Sequence, residues 1–430
     1  MRLLNVFLYE FNHFRKNLSK VVTYLIFILA SIYSLYNGFD LYQNQQATVT
    51  SIEEANNNKI EQVSNWFSRT QIAPNAVDVL GYIPSYQIKQ PSPLLVLGIG
   101  QSEQYGFYKK ITNWSSTYDN DMVEEIANPE RLVNGNIDFS FLVIFLLPVL
   151  LIILTYNIQG FEQDFRFEKL IQIQFGSISK WVFIRFIFYV FLLIFTIIFF
   201  ILTVAIVNNA LMSHLSELIF LIILATIYIL FFASILYLII LNSSGSSSIA
   251  FKMIGLWLLL CVIIPGSVHQ FSSIKYPVNY MTDYLDSNRQ ETYEVFELPI
   301  DSLHERLVKV YPSLYQNDIN KDYEINSNNR RNVICAIVNE MNKLAINKIE
   351  NQNDSKNKLI ESTYLFNPVL FVQNKWNYFT STDYYSYQEY RDNVQKTIDN
   401  KLKLLIFEPW YDTKVTPNIF QNYLKELNNI

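Results

Sequence analysis

An all-α polytopic membrane protein, with about five transmembrane helices and a large, mainly helical extracytoplasmic domain carrying a few short strands, is the fold class this sequence predicts. Three observations predict it. Half of the 430 residues are hydrophobic, with 32 Phe and 29 Tyr against only 11 Gly, which suits a membrane protein with sizeable soluble parts better than one globular domain. The apolar residues gather in five runs, 21–36, 139–156, 181–207, 218–241 and 249–265, each near the ~20 residues a helix needs to cross hydrocarbon. The charges are polarised about those runs. With the N-terminus in the cytoplasm, Arg2, Arg15, Lys16, Lys20, Arg166, Lys169, Lys180, Arg185 and Lys252 fall on the inner side, and the two long outer segments are acidic. That is the positive-inside bias, hidden in an overall net charge of −5.

The chain opens with an amphipathic interfacial helix over 1–20. Leu3, Leu4, Phe7, Phe11, Phe14 and Leu18 recur at spacings of three and four, with Phe7 and Phe11 on the apolar face and Arg15 and Lys16 at its end, a pattern for a helix lying on the inner leaflet. A secretory signal would also start basic, but 21–36 has no small-x-small cleavage site, and Tyr33 and Tyr36 suit an interface anchor. We therefore expect 21–36 to be the first transmembrane helix and 37–138 the first extracytoplasmic part. Within that part Val49, Ile52, Ile60, Val63 and Phe67 repeat at helical intervals, continuing the first span outward. Pro74, Pro84, Pro91 and Pro93 with Gly81, Gly98, Gly100 and Gly106 then cut the chain into extended pieces, 94–98 (LLVLG) being the expected strand.

Residues 139–267 carry spans two to five. Pro148 lies inside the second and Pro265 ends the fifth, while Arg185 and Lys252 sit near inner ends where they can snorkel. Between the second and third spans the polar segment 157–180 interrupts the apolar block. It has an apolar face (Phe165, Phe167, Leu170, Ile171, Ile173) as well as charges, and an acidic start suited to a helix dipole. Its functional candidates are Glu162, Asp164, Arg166 and Lys169, read as loop residues whose charge can be reversed without unfolding the spans. The 242–248 turn, NSSGSSS, is uncharged and makes a poorer docking surface.

Residues 268–430 form the second extracytoplasmic part. Ser302 and Glu305 match a capping box, 333–349 carries a wide apolar stripe, and Tyr390, Val394, Ile398, Leu402 and Leu405 make another face. The cluster Tyr384, Tyr385, Tyr387 and Tyr390 suits a buried core better than a gripping surface. The sequence has no GxxxxGK[ST], GxSxG or HExxH, and its four His are scattered. Cys261 and Cys335 read as small apolar residues, and the Glu124–Glu125 pair as solvated surface. No metal and no cofactor is expected in this chain.

The segments 93–111 (PLLVLGIGQSEQYGFYKKI), 128–156 (NPERLVNGNIDFSFLVIFLLPVLLIILTY) and, more weakly, 367–394 (NPVLFVQNKWNYFTSTDYYSYQEYRDNV) resemble the permease subunits of ABC-2 type transporters with a DUF3526-type outer domain. The resemblance implies a bacterial inner-membrane exporter permease. It works as a homo- or heterodimer beneath which separate ABC ATPase subunits dock, ATP and Mg belonging to those partners. It also implies that the N-terminal helix and the loop after the second span receive the ATPase movement, which carried over residue by residue means Glu162, Asp164, Arg166 and Lys169. Two departures stand out. A small Gly-containing step and a Pro expected in that loop are replaced by Phe165–Phe167 and Phe175–Gly176, and relatives finish with one more span. The residues also leave open an ATP-driven mechanotransmission or assembly unit acting on a periplasmic partner, and a membrane-anchored binding or structural module that needs no ATPase.

Overall fold

The computed structural model describes residues 3–69, 74–118, 121, 137–278, 284–315, 325 and 327–428. Glu124, Glu125 and the end of the chain at Ile430 lie outside the described residues. Among the described residues the structure is mainly helical, and five of the helices are long and apolar enough to cross a membrane. They match the five apolar runs.

Helix α1 (Leu3–Lys16) ends where Asn17 turns the chain and accepts from Lys20 N at 3.2 Å. Helix α2 (Leu18–Arg69) then runs unbroken for 52 residues, about 78 Å at 1.5 Å per residue. It is the first apolar run and its polar continuation in one rod. Span two is α4 (Phe139–Asp164), span three α6 (Ile178–Val207), span four α7 (Leu215–Leu241) and span five α8 (Ser246–Lys275). A short α5 (Glu168–Phe175) bridges spans two and three, closed at Gly176 in the left-handed region (φ 83°).

Pro265 does not end the fifth span. A π-turn at Leu259–Ile263 precedes it, and another at Leu142–Leu146 precedes Pro148. The wider turn makes room for a proline ring and its missing donor, so both helices continue.

The remaining described residues form a second, helical unit at the far end of the bundle from α1 and α5. It comprises α3 (Ala76–Tyr82), a two-stranded antiparallel hairpin of β1 (Tyr86–Ile88) and β2 (Tyr108–Lys110), and α9 (Asp286–Phe296), α10 (Ile300–Val310), α11 (Ser327–Ser362), α12 (Pro368–Thr380), α13 (Tyr384–Trp410) and α14 (Pro417–Asn428). The parts before and after the spans pack together. Gln87 donates to Thr397 at 2.7 Å, Lys401 to Ile111 O at 2.9 Å, and α3, α13, α14 and the end of α2 share one apolar core. Tyr384, Tyr387 and Tyr390 are buried, as expected, and Tyr385 is 40% exposed.

Three local expectations are corrected. Residues 94–98 form no strand: Leu95–Leu97 is a single 3-10 turn, every one of its side chains buried, and an apolar run alone does not distinguish strand from turn. The strands lie on either side of it. The Ser302 capping box is not used, because α10 starts earlier, at Ile300 after Pro299. Arg185 does not snorkel, as described below.

The turn at 94–98 is where the unit joins the bundle. Trp376 Nε1 donates to Leu97 O at 2.9 Å, Thr382 Oγ1 to Gly98 O at 2.9 Å, and Asp138, which caps span two, accepts from Ile99 N at 2.9 Å. Gly38 of α2 lies so close that a Cβ there would meet Val96 O at 2.7 Å. Only glycine lets the two backbones touch.

Candidate functional site

At the opposite end of the bundle, α1, α5 and the ends of α4 and α6 enclose a cleft of about 480 Å³. Its floor is ionic. Glu10 sits on the face of α1 that carries Val6, and both are fully buried against α6. A carboxylate there must be paired, since a charge taken from water alone costs several kcal/mol. Arg185 of α6 supplies the partner: its Nε donates to Glu10 Oε2 at 2.5 Å, and its Nη1 to Glu162 Oε1 at 2.6 Å and to Ile158 O at 3.2 Å. Tyr189, one turn on, donates to the other Glu10 oxygen at 2.6 Å and accepts from Lys20 Nζ at 3.0 Å. Trp181 Nε1 donates to Glu162 at 2.6 Å. Two carboxylates face one guanidinium and one ammonium, so the cluster is formally neutral.

Aromatic rings close it from the cleft side. Tyr9 and Trp181 each lie within cation–π range of the guanidinium, at 5.8 and 5.7 Å, and His13 stacks on Tyr9. Burial lowers the His13 pKa, and the nearby Glu10 opposes that. A neutral imidazole is thus favoured beside a cluster that already balances its own charge.

The site residues expected from sequence are brought to this end of the chain but do not share one role. Glu162 is not a solvated loop residue. It belongs to the last turns of α4 and is 5% exposed, because span two continues past 156 and delivers it to Arg185. Asp164 is exposed and accepts from Ser246 Oγ at 2.6 Å, at the start of span five, while Gln163 accepts from Gly245 N at 2.8 Å. The uncharged Ser-rich turn is therefore bound to α4 rather than free. Gly160 makes this approach possible, since a Cβ there would meet Ser246 at 2.6 Å. Arg166, in the left-handed region (φ 59°), and Lys169 are exposed.

On α1, Phe7 packs edge-on against Phe188 at 5.0 Å, and Phe11 is 46% exposed although its ring also reaches Phe188. Arg15 and Lys16 are exposed, and Leu18 is 75% exposed. The buried stripe of α1 is thus centred on Val6 and Glu10, rotated from the expected one, because the Glu10 ion pair sets the rotation. Helix α5 buries no side chain, and leaves Ile173 83% exposed and Leu170 53% exposed.

Sequence reasoning missed Glu10, Lys20, Trp181, Arg185 and Tyr189 as a set. The available signal was a lone carboxylate among apolar residues on α1 and an arginine inside an apolar run. Among the described residues there is no His, Cys, Asp or Glu group that could hold a metal ion, and Cys261 and Cys335 are free and buried.

Comparisons of the chain with protein-family models, with curated proteins and with solved structures gave no match.

Proposed function

We propose that the chain is the permease subunit of an ATP-binding cassette exporter of the ABC-2 type, with a DUF3526-type outer domain, residing in a bacterial inner membrane. It moves a substrate out of the cytoplasm or inner leaflet, as a dimer, on energy from separate ATPase subunits. The supporting observation is the Arg185 junction. One side chain of span three holds both α1 and the end of span two, while Asp164 and Gln163 hold the start of span five. A partner pressing on α1 and α5 would move four spans together. The exposed apolar side of α5, flanked by Arg166 and Lys169, is the proposed contact.

The test is purification of the tagged full-length chain from its native membranes. The proposal expects an ATPase with Walker motifs to co-purify and its ATP hydrolysis to rise when permease is present in proteoliposomes. Intact chain with no such ATPase would instead leave the anchored module.

A second reading, mechanotransmission to a periplasmic partner without transport, is favoured by α2. This helix starts beside α1 and ends in the core of the outer unit, so movement at one end is carried to the other by a single rod. ATP-dependent release or activation of a periplasmic protein, with no substrate flux in sealed proteoliposomes, would select it.

A further inference from the structure

Helix α12 has an unusual placement for a segment so far from the apolar runs. Val369, Val372 and Trp376 are buried in the same core as the spans, and Phe379 stacks on Phe220 of span four at 5.3 Å and 7°. The helix touches the π-turns of spans two and five as well. Those turns belong to the apolar stretches of α4 and α8, so α12 lies among the spans at membrane depth, though its 13 residues, about 20 Å, are too few to cross.

Its approach is also fixed. Helix α11 packs along Ile264–Lys275, the outer part of α8, and Lys356 lies within electrostatic reach of His269 there. Helix α12, which follows, touches Leu259–Ile263, further into the span. The chain therefore descends along α8 and turns at Tyr364–Phe366.

That corner is apolar and uncovered. Leu365 is 98% exposed and Phe366 57%, and α12 continues them with Phe371 at 37% and Tyr378 at 58%. Phe371, Lys375 and Tyr378 fall on one helical stripe, the Lys375 ammonium lying 5.6 Å from the Tyr378 ring centroid. This surface is continuous with the exposed apolar face of span four, where Phe220 is 52% and Ile223 46% exposed.

We propose that the α11–α12 corner is a membrane-dipping anchor, with Leu365 and Phe366 inserted among the acyl chains of the outer-unit leaflet and Tyr378 with Lys375 at headgroup level. The occupant of the surface is phospholipid. A leaflet accommodates apolar tips flanked by an interfacial tyrosine and a snorkelling lysine, whereas water would not. The inference rests on the membrane reading of the five spans and is independent of any ATPase.

The experiment uses the full chain with Cys261 and Cys335 replaced by alanine, a single cysteine at Leu365 or at Leu344, and a bimane label, in phosphatidylcholine and phosphatidylglycerol vesicles. Leu344 is 77% exposed on α11, nearer the outer unit. The expected result is that doxyl-labelled phosphatidylcholine removes most of the fluorescence at 365 and iodide little, with the reverse at 344. Quenching at 365 by iodide alone would show a water-facing corner, and insensitivity to both a protein-covered one. Either outcome overturns the proposal.

Discussion

Arg185 and Glu10, 175 positions apart in the chain, are joined by a 2.5 Å charge-assisted hydrogen bond in a site where neither side chain is more than 7% exposed. Removing the guanidinium would leave Glu10 and Glu162 buried together without a cation between them. Loss of one partner from a buried pair costs about 3–5 kcal/mol. Arg185→Leu is therefore expected to lower the thermal midpoint of the detergent-solubilised protein sharply. Arg185→Leu combined with Glu10→Gln and Glu162→Gln should recover most of it, and a triple variant no better than the single one would show that the ion pairs are not what holds α1.

The position of Glu162 changes what a charge-reversal experiment reports. Glu162→Lys with Asp164→Lys places a second cation beside Arg185 and also removes the acceptor for Ser246. The expected outcome is loss of the folded bundle, seen as aggregation on size-exclusion chromatography, before any partner is tested. A monodisperse double variant with wild-type melting would contradict the structure of this site.

The five spans and the helical extension of the first were legible because each is written locally, as an apolar run near the length of a bilayer or as a repeat such as Val49, Ile60 and Val63. The cluster around Arg185 was not. Its members come from α1, the start of α2, the end of α4 and the first three turns of α6, and only the packing of four helices brings them together. Pro265 misled because proline is a stop signal unless the preceding turn widens, which depends on neighbours. The burial of 94–97 misled for a related reason: those residues fill the junction with Gly38 and Trp376 instead of pairing as a strand. Helix α12 is too short to read as a membrane segment, and its polar residues, Gln373, Asn374, Lys375 and Asn377, conceal the apolar face.

The junction itself can be tested at glycine. A methyl group at Gly38 would stand 2.7 Å from Val96 O and 2.9 Å from its Cα, both backbone atoms. Overpacking of this kind costs about 1–3 kcal/mol. Gly38→Ala should loosen the second unit from the bundle, read as faster proteolysis between 70 and 118, whereas Gly81→Ala, which meets nothing within 4 Å, should leave the pattern unchanged.

In the second helical unit, burial lowers the Lys401 pKa to about 8, with Lys110 adding to the effect, and its ammonium has Ile111 O as acceptor at 2.9 Å. The folded state therefore binds a proton less readily than the unfolded chain, whose lysine keeps its ordinary value near 10.5. Stability contributed by this group rises as pH increases from about 8 to 10.5 and is at its lowest below that window. Lys401→Met should flatten that rise and raise stability at pH 7, measured by chemical denaturation followed through intrinsic tryptophan fluorescence. A Lys401→Met protein with an unchanged pH profile would mean that the ammonium is solvated.

The decisive test of the proposed docking surface must spare the buried cluster. Arg166 and Lys169 are suited to it, being exposed, on the α5 side of the cleft, and without a role in holding α1. Reversing both, Arg166→Glu with Lys169→Glu, changes the charge a partner meets by four while leaving Arg185, Glu10 and Glu162 in place. A charge reversed at a complementary interface slows association and weakens the complex, an effect that salt screens. If an ATPase docks on α1 and α5, the double variant should retain wild-type melting and oligomeric state, yet lose ATPase retention and ATPase stimulation at low salt. Separate reversal of Arg15 and Lys16 on α1 should weaken retention in the same way, because the two short helices border one cleft. Wild-type retention in both variants would remove the cleft from consideration as the ATPase contact and place that contact elsewhere on the chain.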